Sequence, residues 1–266
     1  MKRAVPDAAM LERARAALLD HLPKEAIISA FLAAGGAEVG SGKLWSENSS
    51  AALAANAFGF FVGGEEAAKR LVWPTRLADL GHATAVRLEA KMAFPWRGGS
   101  HPWLDAAVEE PGALIGIESK RFEPFRDAKA AEFSEAYDRK VWGDAMAPFE
   151  TMRDRLRVEP GAFVHLDACQ LVKHAFGLRT QAHKSRRRAT LVYLYAEPAT
   201  LWNAQPLTPK MAEAHRTEIE AFGDAVRGAE VSFEALSYHE LLAAWKSSGD
   251  LGLAGHARLV AGRFRL

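Results

Sequence analysis

The chain has 266 residues, 49% of them hydrophobic and 25% charged, with a formal net charge of +1. That balance belongs to a globular protein and does not by itself announce nucleic acid. No apolar run reaches the roughly 18 residues that a membrane span needs, and one cysteine, Cys169, excludes an internal disulfide and a cysteine-based zinc cage. The N-terminus is basic, then amphipathic with charges throughout, and lacks a leader's apolar stretch, so the cytoplasm is the expected compartment.

Residues 7 to 34 carry Ala, Leu and Ile at three- and four-residue spacing and predict two helices, the second ended by the glycines of AAGGAEVGSGK. A third helix is expected over 47 to 61 with Ser46 as its cap. A short one over 65 to 72 stops before Pro74. The period then becomes two. In TAVRLEAKMAF (84 to 94), Val86, Leu88, Ala90 and Met92 alternate with Arg87, Glu89 and Lys91, a strand with one apolar face. HPWLDAAVEE (101 to 110) reads as a second strand, Pro111-Gly112 as a turn, and ALIGIESK (113 to 120) as a third strand. The third does not alternate, which puts it in mid-sheet, covered on both faces.

Helices are expected at about 127 to 139 and 144 to 156, and another over 163 to 178 closed by Gly177. ATLVYLYAEP (189 to 198) is an apolar strand, 208 to 227 a charged amphipathic helix, AEVSFEAL a fifth strand and 237 to 245 a helix. The tail from 246 gives no clear signal. The order predicts one α/β domain, a mixed sheet with helices packed on it.

Several motifs fail. GGAEVGSGK is no phosphate loop: Ala37 stands where the first glycine belongs, Leu44 where Ser or Thr belongs, and no strand precedes it. No G-x-S-x-G elbow occurs. His165, Asp167, His174 and His183 lack zinc-site spacing, and histidine on a half-buried helix face is more often simply packed.

One constellation survives. A two-residue turn at 111 and 112 would make its flanking strands antiparallel neighbours, with Asp105 and Glu118 roughly opposed. Glu118 and Lys120 are two apart and so share a sheet face. An exposed alternating strand often contains Glu-x-Lys, but the apolar approach to Glu118 is not that of a solvated face. Two close carboxylates disfavour one another's charge, and burial worsens both. A hard divalent cation resolves the conflict: Mg²⁺ takes oxygen ligands, keeps waters, accepts phosphate oxygens and activates water for attack. Lys120 could orient that water or stabilise developing charge. The set suits metal-assisted phosphodiester hydrolysis.

WLDAAVEEPGALIGIESKRFEPF resembles the core of the PD-(D/E)XK, or restriction-endonuclease-like, nuclease superfamily, and especially a bacterial group of restriction-endonuclease-like proteins. SSAALAANAFGFF, CQLVKHAFGL, LVYLYAEP and LSYHELLAAW fit the same group in the same order, over about residues 45 to 245. The resemblance implies a central mixed sheet flanked by helices: a core over 46 to 245, a helical extension over 1 to 45 and a tail over 246 to 266. It implies Asp105 and Glu118 as metal ligands and Lys120 as the catalytic lysine, although Leu104 replaces the family's leading proline. Glu47 matches an additional acid contributed by an early helix, and is equally read as an acid at a helix N-terminus. Gln170 matches a glutamine on the following helix, with His174 one turn further along. Asn56 and Ser49 suit structural hydrogen bonds.

The expected cofactor is Mg²⁺, with Mn²⁺ possible, and the expected partner is DNA, endonucleolytic cleavage before exonucleolytic; a homodimer is compatible, with no interface marked. Residues 179 to 188, RTQAHKSRRR, read either as a solvated loop before a strand or as a phosphate-contacting patch. On the second reading Lys173, Arg179, Lys184, Arg186, Arg187 and Arg188 are candidate DNA contacts. Two rivals stand beside the nuclease: a DNA-binding relative that keeps the fold without cutting, and a metal-dependent hydrolase of a small substrate.

Overall fold

Because Leu114, Ile115, Gly116 and Ile117 offer no polar face to water, the strand that contains them must be covered on both sides. A computed structural model, which describes residues 6–35, 37–46, 48–126 and 132–266, shows how. Helices α1 (Ala8–Ala16), α2 (Lys24–Ala33), α3 (Ala37–Gly40), α4 (Ser50–Phe58) and α5 (Glu65–Ala68) precede β1 (Ala85–Lys91), β2 (Trp103–Glu109) and β3 (Ala113–Lys120). Then come α6 (Ala147–Val158), α7 (Ala168–Ser185), β4 (Arg188–Tyr195), α8 (Pro209–Ala225), β5 (Val231–Ser237), α9 (Tyr238–Lys246) and α10 (Leu251–Phe264). The five strands lie side by side in chain order. β1, β2 and β3 form an antiparallel meander, and β4 and β5 run parallel to β3. The mixed α/β architecture is the one the sequence predicts.

Two cores result. Ile115, Ile117, Val192 and Leu194 face the helices α1 to α5, α9 and α10, around Ile27, Phe58, Phe61 and Trp245. Leu114, Leu191 and Tyr193 face α6, α7 and α8, around Trp142, Phe149, Phe176 and Phe222. Asn56, fully buried, joins the first core's helices: it accepts from the Leu19 N–H (2.8 Å) and donates to the carbonyls of Ala17 (3.1 Å) and Ala52 (2.8 Å).

Several expectations need correction. Ser49, not Ser46, caps α4, its side chain accepting from the Ala52 N–H. The helix expected at 127 to 139 falls partly outside the described residues, and 135–138 form a single 3₁₀ turn. The tail forms α10, whose N-cap Asp250 accepts from Gly252 and Leu253 and also pairs with Arg70 at 2.7 Å. Gly177 does not end a helix: α7 continues to Ser185. Its missing side chain instead permits close packing, since a Cβ there would lie 2.8 Å from the Met92 carbonyl oxygen and 2.7 Å from Pro102. Gly177→Ala should therefore lower stability by about 1–3 kcal/mol through overpacking, read as a lower denaturant midpoint with an unchanged slope.

β1 also departs from its single apolar face. Val86 and Leu88 enter the first core, but Ala90 and Met92 enter the second. On β2, Ala106 enters the first and Leu104 the second. The switch falls at Glu89, whose φ of 47° is left-handed. Such backbone costs a non-glycine residue roughly 1–2 kcal/mol. Glu89 lies between the register pairs Leu88–Ala106 and Ala90–Leu104, and therefore opposite Asp105.

Candidate active site

The β2–β3 register pairs Glu109 with Leu114 and Ala106 with Ile117, and its next step places Asp105 across from Glu118. The Asp105 carboxylate accepts the Ser119 N–H at 2.7 Å, which draws it to the end of β3. Glu118 is buried and the Lys120 side chain nearly so. Lys120 Nζ donates to Glu118 Oε1 (2.6 Å) and to Gln170 Oε1 (2.7 Å). Gln170 is held in the first turn of α7, where its N–H meets the capping Asp167 carboxylate at 2.9 Å. One turn on, buried His174 sets Nδ1 at 3.2 Å from Glu118 Oε2. One oxygen of Glu118 is thus bonded by a lysine from its own strand, and the other faces a histidine ring nitrogen of the covering helix that makes no aligned hydrogen bond.

Ser119 points to the other face, where its Oγ meets the Tyr238 hydroxyl at 2.7 Å. Beyond the strand the chain turns sharply. Glu123 fixes that turn by accepting from the backbone N–H groups of Arg121 (2.8 Å) and Phe122 (3.0 Å) and from Ser50 Oγ (2.8 Å). A hollow of about 110 Å³ opens beside the lysine, lined by Lys120, Glu123, Arg126, His165, Asp167 and Tyr193 among others.

The charges are unequal. Burial opposes ionisation of Glu118, but the Lys120 ammonium and His174 outweigh it and hold the carboxyl down at about 2. Burial likewise opposes the charged Lys120, and Glu118, Asp105 and Glu123 outweigh it, holding the ammonium above its usual range. Asp105 also feels the Lys120 charge and accepts the Ser119 N–H, but burial first and then the Glu118 charge outweigh both and raise it well above the carboxylate range. Glu89 rises to about 7, from burial and then from the charges of Glu38 and Glu118.

Two neighbouring carboxyl groups of which only one is comfortably ionised are a donor set for a hard divalent cation. Among the described residues, no three His, Cys, Asp or Glu side chains already surround one point. Asp105 and Glu118 suffice for Mg²⁺, which characteristically takes one or two carboxylates and fills its octahedron with waters and phosphate oxygens. The residues present therefore fit that ion.

The site brings together Asp105, Glu118, Lys120 and Gln170. Glu47 lies outside the described residues. Lys173 stands over the rings of Phe133 (5.3 Å) and Tyr137 (5.9 Å). Only part of the basic run is a loop before β4: 179–185 form the last two turns of α7, Arg186 and Arg187 make the connection, and Arg188 is the first residue of β4. There Arg179 pairs with Glu230 (2.9 Å) and Arg187 with Glu109 (2.8 Å), while Arg186 is the left-handed C-cap of α7. Lys184 precedes that cap. Arg188 is in register with Ala113, at the opposite end of β3 from Glu118 and about 17 Å away along the strand.

Two residues near the site escaped sequence reasoning. Glu89 is hidden by the connection between β1 and β2, too long for its register to be counted. Glu123 gives a weak signal, an acid three residues past Lys120. The sequence places His174 on the helix face with Gln170, and the structure adds that it faces Glu118.

A model of the family described as "Restriction Endonuclease associating with ARP" matches residues 35–263 of the chain. No curated protein and no solved structure matches it.

Proposed function

The chain belongs to the family described as Restriction Endonuclease associating with ARP, and from that premise we propose a Mg²⁺-dependent nuclease that hydrolyses DNA phosphodiester bonds at Asp105, Glu118 and Lys120. The observation that carries the proposal is the Lys120 ammonium, held 2.6 Å from Glu118 and 2.7 Å from Gln170 beside the Asp105 carboxyl. Asp105 and Glu118 would hold Mg²⁺, or Mn²⁺ in its place, which when bound would supply Lewis-acid stabilisation of phosphate charge and a more acidic attacking water. Lys120 presents a fixed positive charge to the negative charge that develops on the phosphate. Gln170 and His174 set the orientation of Lys120 and Glu118, and Glu89 extends the row of acids on β1. DNA is the substrate that the family match favours. Endonucleolytic cleavage suits a site at the end of open strands.

The test is incubation of supercoiled, linear, nicked and single-stranded DNA with the protein in Mg²⁺ or in EDTA. Cleavage in Mg²⁺ that EDTA abolishes is expected. DNA binding without cleavage under any metal would favour a non-cutting relative of the nuclease fold. Without DNA, Mn²⁺ should raise the melting temperature, because an ion that binds the folded chain alone stabilises it by about 2.7 kcal/mol at a hundred times its dissociation constant. An unchanged melting curve at millimolar Mn²⁺ would count against the two ligands named.

A further inference from the structure

A cleft of about 550 Å³ lies between the start of α4, the end of α10 and the 198–204 loop, within the size range of small-ligand pockets. Trp45, Trp202, Phe122, Arg263 and Arg265 are among its walls, and among the described residues no acid lines it. Arg263 and Arg265 are exposed.

Trp202 is presented by a closed loop. A bridge between Thr200 and Pro206 closes that loop, and the Leu201 N–H donates to the Gln205 carbonyl at 2.8 Å. Leu201 is anchored in a small cluster with Phe122 and Phe125. The next residue, Trp202, is left 37% exposed, its ring 6.5 Å from that of Phe122. The Arg126 guanidinium carbon stands 5.1 Å over the Trp202 ring. Arg126 also lines the hollow beside Lys120. One arginine therefore joins the lysine to the aromatic platform.

An exposed aromatic ring beside exposed arginines is what an unpaired nucleotide binds: the base stacks on the ring and the phosphates meet the guanidinium groups. A paired base is already stacked on both sides and cannot present its face.

We propose that this cleft holds an unpaired nucleotide of the substrate, its base on Trp202 and its phosphates toward Arg126, Arg263 and Arg265. The preferred DNA then has single-stranded character next to the cleaved bond, such as a frayed end, flap or bubble. The substrate preference rests on the nuclease reading of the Lys120 site; binding in the cleft does not.

The test is fluorescence anisotropy of a labelled oligothymidylate and of a duplex of equal length, in EDTA so that nothing is cut. It compares the wild type with Trp202→Ala, Trp202→Phe and Arg265→Glu. Trp202→Ala should weaken single-strand binding roughly 5- to 150-fold, the loss of one stacked base. Trp202→Phe should restore most of it, and Arg265→Glu should weaken binding and flatten its salt dependence. Duplex binding should change less than about twofold. Single-strand binding unchanged in Trp202→Ala and Arg265→Glu, or equal losses for strand and duplex, would overturn the proposal. Cleft-dependent binding with no cleavage of any DNA in Mg²⁺ would defeat the nuclease reading and leave the cleft standing; cleavage indifferent to Trp202 would leave the nuclease reading standing and overturn the substrate preference.

Discussion

Lys120→Ala should reduce DNA cleavage roughly 100- to 1,000-fold, the range seen when a preorganised donor to transition-state charge is removed. The effect has to be separated from damage to the fold. Lys120 is nearly buried and neutralises Glu118 at 2.6 Å. Deleting it leaves the carboxylate with the His174 ring as its remaining close side-chain neighbour and removes the donor to Gln170. Removing one partner of a buried ion pair costs about 3–5 kcal/mol. Lys120→Met, which keeps the aliphatic stem, is the companion variant. Single-turnover rates on protein shown to be folded by circular dichroism isolate the chemistry. Both variants should lose cleavage while retaining DNA binding in EDTA. Cleavage within tenfold of wild type in the folded variants would remove the lysine from the mechanism.

Asp105→Asn should also abolish cleavage, but with the opposite effect on the fold. Asparagine keeps an oxygen to accept the Ser119 N–H and brings no charge beside Glu118. Metal-free protein should gain about 0.5–2 kcal/mol near neutral pH, as when a strained functional group is relieved. The sign with pH follows from the raised carboxyl. Asp105 in the folded chain titrates well above 3.8 because burial and then Glu118 disfavour its anion. Folding therefore takes up a proton between the ordinary value and the raised one, and wild-type stability from this group grows as pH falls through that window. The advantage of asparagine should shrink over the same window and vanish below about pH 4. The Mn²⁺-induced rise in melting temperature should be absent from the variant at every pH. A variant that is strongly destabilised, or that keeps the Mn²⁺ response, would contradict the assigned role.

How far the sequence discloses this site depends on chain separation. Asp105 and Glu118 could be set opposite one another because Pro111-Gly112 makes so short a turn that register follows by counting. Lys120 follows from the two-residue period of a strand. Gln170 and His174 came from a family resemblance and a helical turn, and their helix does cover the same sheet face. Glu89 could not be found that way. A long connection separates β1 from β2, and the left-handed backbone at Glu89 moves Ala90 and Met92 to the opposite core from Val86 and Leu88. No periodicity announces such a switch.

The basic run shows the opposite failure. Its charge is plain in sequence, but helix length decides its place, and α7 continues past Gly177 because that glycine serves close packing against Met92. The cleft at Trp202 gathers residues from five separate segments, and no linear pattern marks it.

The most direct measurement is anomalous scattering from crystals grown with Mn²⁺. A peak touching carboxylate oxygens of both Asp105 and Glu118, at about 2.0–2.2 Å, is the result this account requires. Its absence at saturating Mn²⁺, or a peak bound elsewhere with those two side chains untouched, would contradict it.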